Sequence, residues 1–272
     1  MTTKTNNNMK NLIKRGRPTK SKDVIEDFDP SSIKIIYNNS LNFSNSLFEP
    51  LKTNSELDVI LSTDGGIMPA VNMVLVGGPG TGKTTVALDM VSKLIDQGYK
   101  CLFVSAEMDE IGYYKYCKRL PQFNNIPVLF AKNYAQNIKS AIEHTFDQGW
   151  DVVVVDSLAE VVGMYKEQYK TTEYFAERWL LGLEDRVKKG QNQGSYYTSF
   201  INVQQVTKGD DFVGSNRIKH MTDSMAHIER SRDRLQRTIY FSKNRDCDKD
   251  FKMYFSFYQD KVYYTFEEED KQ

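Results

Sequence analysis

Beyond residue 50, short apolar runs alternate with stretches of helical length and spacing. The runs Val71 to Val76, Cys101 to Ser105, Val128 to Ala131, Val152 to Asp156 and Ser199 to Val203 are rich in Val, Ile, Leu or Phe and do not alternate with polar residues. Such runs mark strands buried on both faces of a parallel sheet. Between them, residues 83–97, 109–120, 134–148 and 172–189 carry helical spacing. Alternating strands and helices predict an α/β fold, a mostly parallel central sheet flanked by helices with right-handed crossovers. Near the C-terminus the rhythm changes. Thr238 to Ser242, Lys252 to Tyr258 and Val262 to Phe266 read as consecutive antiparallel strands joined by polar turns.

The ends of the chain differ from this body and from each other. Residues 1–22 hold Lys4, Lys10, Lys14, Arg15, Arg17, Lys20 and Lys22 with no acid, and Glu267 to Asp270 form an acidic run. The expected organisation is a flexible basic arm over 1–45, one core over 46–266 and an acidic tail over 267–272. Lys plus Arg balances Asp plus Glu at 36 each, so no global charge advertises nucleic acid as the partner. Within the arm, Arg15 to Pro18 resembles an AT-hook, whose arginines enter narrow A·T-rich minor grooves where negative potential is concentrated. The alternative reading is a solvated basic tail. Cys101, Cys117 and Cys247 lie far apart without a CxxC, which suggests neither a disulfide framework nor a zinc site. The N-terminus has no apolar h-region and no run of eighteen apolar residues occurs, so the expectation is a soluble cytoplasmic protein.

The chemistry starts where the first apolar run ends. Gly77, Gly78, Pro79, Gly80, Thr81, Gly82, Lys83, Thr84 and Thr85 spell G-x-x-x-x-G-K-T between a predicted strand and a predicted helix. Glycines let backbone N–H groups turn inward around phosphate oxygens, and the N-terminus of the following helix adds its positive dipole. Lys83 is expected on the β and γ phosphates of ATP. The Thr84 hydroxyl is expected on Mg2+, which takes octahedral oxygen ligands. Asp156 ends the apolar run Val152 to Val155, and active groups of open α/β sheets gather at such carboxyl ends. It is the second candidate for Mg2+, through water.

These residues, with several others in order, resemble the bacterial RadA (Sms) recombination ATPases and, secondarily, the motor domain of DnaB-type replicative helicases. The resemblance runs from about residue 56 to 258: Glu56-Leu57-Asp58, Gly65 to Pro69, the P-loop, Val206 to Gly209, then Gly214, His220-Met221 and Asp223, and finally Lys243-Asn244-Arg245. It implies a RecA-type fold and a set of roles. Glu107, first after the second core strand, would polarise the attacking water, with Asp109 and Glu110 as neighbouring alternatives. Gln205 would sense the γ-phosphate, with Gln204 left open. Lys243 and Arg245, two apart and facing the same way, would enter the ATP site of a neighbouring subunit in a head-to-tail homo-oligomer, a ring or a filament. The chain departs from RadA where Asp246-Cys247 follows Lys-Asn-Arg, and its sequence shows no cysteine zinc module.

In this fold the segments after Asp156 and after Gln205 face the central channel, where the family binds DNA. The first is expected as a loop over about Ala159 to Thr172, with Lys166, Lys170, Tyr165 and Tyr169. The second is expected over Thr207 to Lys219, with Lys208, Arg217 and Lys219 beside Asp210 and Asp211. Basic groups would meet phosphates and tyrosines would stack on bases. The expected function is a DNA-stimulated, helicase-like ATPase in recombination or replication, acting on single-stranded or branched DNA. The alternative is a nucleotide-switched, protein-binding ATPase of the circadian-clock type.

Overall fold

The computed structural model describes residues 29, 31, 33–37, 41–206, 216–231, 236–247 and 251–266, with the side chains of Asn216 and Arg217 left out. Arg15, Arg17, Lys208, the side chain of Arg217 and the acidic run after residue 266 lie outside the described residues. The chain divides into two units, Met1–Asn42 and Phe43–Gln272. In the first, Ser31 closes a small turn by donating its backbone N–H to Asp29 Oδ1 at 2.9 Å and its hydroxyl to Asp29 Oδ2 at 2.6 Å.

The second unit holds the elements in the order α1 (Asp58–Leu61), β1 (Asn72–Gly77), α2 (Lys83–Asp96), β2 (Cys101–Ser105), α3 (Glu110–Arg119), β3 (Val128–Phe130), α4 (Ile138–Asp147), β4 (Val152–Asp156), α5 (Leu158–Tyr169), α6 (Glu173–Lys188), β5 (Ser199–Gln205), α7 (Asn216–Met221), β6 (Ser224–Arg230), β7 (Arg237–Asn244), β8 (Lys252–Tyr258) and β9 (Lys261–Thr265). Among the described residues the strands form one sheet, ordered β3-β2-β4-β5-β1-β6-β7-β8-β9. The pairs from β3 to β6 are parallel and those from β6 to β9 antiparallel.

Period-two side-chain alternation splits the apolar runs between two cores. Met73, Leu75, Phe103, Val154 and Ile201 face the layer of Leu88, Val91 and Leu94 from α2 and Tyr113 and Cys117 from α3. Val74, Val104, Val153, Val155 and Phe200 face Ile142 and Phe146 of α4, Val161 of α5 and Leu180 and Val187 of α6. Each central strand thus has apolar residues on both faces, which is why these runs are continuous rather than alternating. Phe146, fully buried with its ring 5.2 Å from that of Phe200, anchors the second core; truncation to Ala there would cost about 3–5 kcal/mol.

Two expectations need correction, and one strand was not expected. The segment after Asp156 is not a loop, because Leu158, Val161 and Val162 bury one face at helical spacing and make it α5. Its Tyr165 lies 4.1 Å from Trp179, nearly parallel to it, and is committed to packing. Lys219 belongs to helix α7 rather than to a loop, and residues 207–215 lie outside the described residues. A sixth parallel strand, β6, lies beside β1 where the apolar pattern of Ser224 to Arg230 is too short and polar to announce one.

Candidate nucleotide site

β1 delivers the chain to the phosphate loop at the centre of the sheet, flanked by β5 and β6. Two glycines are sterically required. A Cβ at Gly77 would sit 2.3 Å from the Ile228 carbonyl oxygen, and Gly82 turns into α2 with φ 111°, a left-handed conformation that side chains disfavour. The loop opens onto a cavity of about 500 Å3. Pro79, Gly80, Gly82, Lys83, Thr84 and Thr85 line it with Glu107, Asp156 and Gln205 from the ends of β2, β4 and β5.

Within it, Lys83 Nζ donates to the carbonyls of Gly77 at 2.8 Å and Gly78 at 2.9 Å. Burial lowers its pKa, while Asp156 and Glu107 raise it. Its ammonium is therefore partly desolvated and preorganised for an anion. Thr84 Oγ1 donates to Asp156 Oδ2 at 2.6 Å. Burial pushes the Asp156 carboxyl up to about 6; the Thr84 bond lowers it, Glu107 raises it and Lys83 lowers it. A hydroxyl and a carboxylate in contact beside a phosphate cradle are hard oxygen donors, which suits Mg2+. Among the described residues no group of three or more His, Cys, Asp and Glu is arranged to hold a metal, so a cation between Thr84 and Asp156 would draw its other ligands from phosphate and water, as Mg2+ commonly does.

The backbone N–H groups of Ala106 and Glu107 both donate to the Asp156 carbonyl, at 2.7 and 3.2 Å, fixing the β2 and β4 ends together. The Glu107 side chain is exposed to the cavity, and Gln205 Nε2 reaches its Oε1 at 3.4 Å. Its neighbours are otherwise occupied. Asp109 caps α3 by accepting from Gly112 N at 2.7 Å, and Glu110 accepts from Asn133 Nδ2 at 2.5 Å. Gln204 points to the other face, where its Oε1 accepts from Ala159 N at 3.3 Å at the start of α5.

Lys243 and Arg245 do not line this cavity. Ser224 pairs with both Met73 and Asn244, so the end of β7 lies where β1 begins. There Lys243 Nζ donates to the carbonyls of Lys219 and Thr222, and Arg245 Nη1 donates to Asp223 Oδ1 at 2.9 Å while remaining 59% exposed. Lys166 is ion-paired with Glu173 at 3.9 Å, and Lys170 forms the left-handed cap of α5. The cavity also contains residues that sequence reasoning missed: Tyr116 and Arg119 on α3, Arg237 on β7, and Phe257 and Gln259 at the β8–β9 hairpin. No local motif marks them: Tyr116 and Arg119 sit on α3, and the antiparallel extension brings in Arg237, Phe257 and Gln259 from far beyond the P-loop in sequence.

Comparison with known proteins agrees with this architecture. A family profile described as "ATPase: KaiC" matches residues 51–122. The DNA repair protein RadA of Streptococcus pyogenes serotype M6 is 27% identical over 197 residues, covering 70% of this chain and 40% of that protein. The chain thus spans about two fifths of the length of the curated relatives it matches. Among solved structures, a RadB recombinase aligns with a TM-score of 0.57 at 18% identity, covering 78% of this chain and 98% of that one. The flagellar accessory protein FlaH of Methanocaldococcus jannaschii aligns with a TM-score of 0.59 at 12% identity, covering 80% and 99%. The chain carries a RecA-type P-loop core similar to that of the RadA proteins.

Proposed function

We propose that this chain hydrolyses Mg·ATP at sites shared between neighbouring copies and uses the cycle to act on DNA. The observation that carries the reading is the separation of two cationic sets. Lys83 lies in the phosphate cavity with Thr84, Asp156, Glu107 and Gln205, whereas Lys243 and Arg245 lie at the opposite end of β1. Five strand steps between Asn72 and Gly77 span about 17 Å. A charge there cannot reach its own phosphate site, but it can reach one on a copy stacked head to tail, in a ring or a filament. Bound Mg2+ would supply charge neutralisation to the phosphates. Lys83 then holds the β and γ oxygens, Glu107 orients water for in-line attack, and Gln205 links the γ-phosphate position to the segment that follows it.

The DNA part rests on the α5–α6 turn and on the relatives. Exposed Tyr169, Tyr174 and Phe175 surround that turn with Lys166 and Lys170 close by, a mixture of rings and cations that suits single-stranded nucleic acid. The second channel segment would contribute Lys208, Arg217 and Lys219. The similar proteins named above are a DNA repair protein and a recombinase. A second reading, a nucleotide switch that binds protein, draws on the KaiC-type profile. ATP turnover measured with and without single-stranded DNA, beside the mass of the assembly under Mg·ATP, separates them. A DNA-acting motor is stimulated and oligomeric; a switch assembles and ignores DNA. Turnover by a monomer would contradict both.

A further inference from the structure

The antiparallel part of the sheet has one face buried and one open. Met253, Phe255, Val262 and Tyr264 join the core that also holds the apolar residues of α2. Pairing places their neighbours on the other face: His227 beside Tyr240, Tyr240 beside Lys252, Thr238 beside Tyr254, Ser256 beside Tyr263 and Tyr258 beside Lys261. Among the described residues, the apolar cluster beneath α4, α5 and α6 on that side of the sheet takes in none of β7, β8 or β9. Tyr258 is 63% exposed and Tyr263 47%. Rings run across the whole face. His227 and Tyr240 stack at 5.1 Å, Lys252 Nζ lies 5.7 Å from the centre of the Tyr254 ring, and Tyr258 and Tyr263 lie 6.5 Å apart. The carboxylate of Glu229 on this face accepts from the Tyr240 hydroxyl at 2.5 Å, whereas Lys252 and Lys261 are exposed.

Exposed rings gain by stacking on the flat faces of a partner, and lysines set among them suit phosphates. The core of a protein–protein interface is depleted in Lys and Ser, so Lys252, Lys261 and Ser256 among these tyrosines favour nucleic acid over a second copy of the chain. From β6 to β9 the face spans three strand spacings, about 14 Å. Four-stranded sheets with exposed rings hold two or three bases in that width. We propose that the open face of β6 to β9 is a platform for single-stranded nucleic acid, on which Tyr240, Tyr254, Tyr258 and Tyr263 receive bases while Lys252 and Lys261 meet the phosphates between them. The proposal rests on the reading that the chain acts on DNA, and it adds a surface that shares no residue with the α5–α6 turn.

Fluorescence anisotropy of a labelled oligothymidylate with the full chain tests this on three double variants: Tyr258→Ala with Tyr263→Ala, Tyr258→Phe with Tyr263→Phe, and Lys252→Gln with Lys261→Gln. All four side chains are exposed, so unfolding midpoints and ATP turnover without DNA should match the parent. The alanine pair should lose about tenfold or more in affinity, and the phenylalanine pair, which keeps both rings, should stay within about twofold. The glutamine pair should flatten the salt dependence by about 0.7 in slope for each lysine. Parental affinity in the alanine pair, an equal loss in the phenylalanine pair or an unchanged salt slope would each overturn the proposal. So would an alanine pair that binds the oligomer like the parent but changes the mass of the assembly under Mg·ATP, since the face would then join copies of the chain. A parent that binds no oligothymidylate would instead overturn the DNA reading beneath it.

Discussion

Arg245 Nη1 donates to Asp223 Oδ1 across 2.9 Å, and the other Asp223 oxygen accepts from the backbone N–H of Asn72 at 2.9 Å and from Lys188 Nζ at 3.2 Å. One carboxylate therefore ties the end of β7 to the first residue of the P-loop strand and to the end of α6. The guanidinium is oriented yet largely exposed, as a group presented to another molecule must be. Its distance from its own phosphate loop is set by the length of β1, which is buried throughout.

Binding and chemistry should separate by mutation. Lys83→Ala removes the ammonium that the carbonyls of Gly77 and Gly78 hold in place, and ATP affinity should fall by about tenfold or more for the loss of a desolvated countercharge. Glu107→Gln keeps a polar group of the same shape, so ATP should bind as in the parent while turnover drops about 10²- to 10⁴-fold. Equilibrium binding beside steady-state turnover reads both. Parental turnover in Glu107→Gln would remove Glu107 from the water-activating role.

The pH dependence of stability should carry the mark of Glu184. This residue of α6 is fully buried and accepts one bond from Asn202 Nδ2 at 3.0 Å, while its other oxygen has no hydrogen-bond partner among the described residues. Burial pushes its pKa up to about 8 from an ordinary 4.5, against the opposing Asn202 bond and Lys188 charge. Between these values the folded state binds the proton that the unfolded state has released, so stability falls as pH rises, by at most about 1.4 kcal/mol per pH unit. The contribution is complete below about 4.5 and lost above about 8. Glu184→Gln should flatten that decline. Urea midpoints at several pH values between 5 and 9 decide it, and parallel curves for both chains would contradict the assignment.

Deletion of residues 1–22 should weaken DNA binding and flatten its dependence on salt, because fewer phosphates would be neutralised. Turnover without DNA should survive. Binding titrations over a range of salt concentrations give the slope, and an unchanged slope returns the arm to a solvated tail. Comparison of A·T-rich and G·C-rich duplexes then tests the AT-hook resemblance at Arg15 and Arg17.

The sheet and the P-loop were legible because both depend on local signals. The four successive valines from Val152 to Val155 are what burial on two faces demands, and Gly77, Gly80 and Gly82 are where backbone approaches backbone or turns left-handed. Strand β6 was not legible: Ser224, His227, Glu229 and Arg230 give it a polar surface, and its place beside β1 follows from tertiary pairing. Helix α5 is legible in its own apolar spacing at Leu158, Val161 and Val162, against the channel-facing loop that the family resemblance implies there. The wall formed by Arg119, Arg237 and Phe257 was invisible, since the residues come from three distant elements and meet only in the folded chain.

The shared site is the central claim, and subunit mixing tests it most directly. Arg245→Ala copies should bind ATP at their own Lys83 and Thr84 but hydrolyse it slowly, by about 10³-fold or more, as expected for loss of an arginine supplied by a neighbour. Glu107→Gln copies fail for a different reason. When the two are mixed, some interfaces join the intact Glu107 of one copy to the intact Arg245 of the other, and turnover should rise well above that of either variant alone. Mass measurement under Mg·ATP must first establish that both variants assemble. Silence in well-mixed oligomers, or parental hydrolysis by Arg245→Ala alone, would contradict the account.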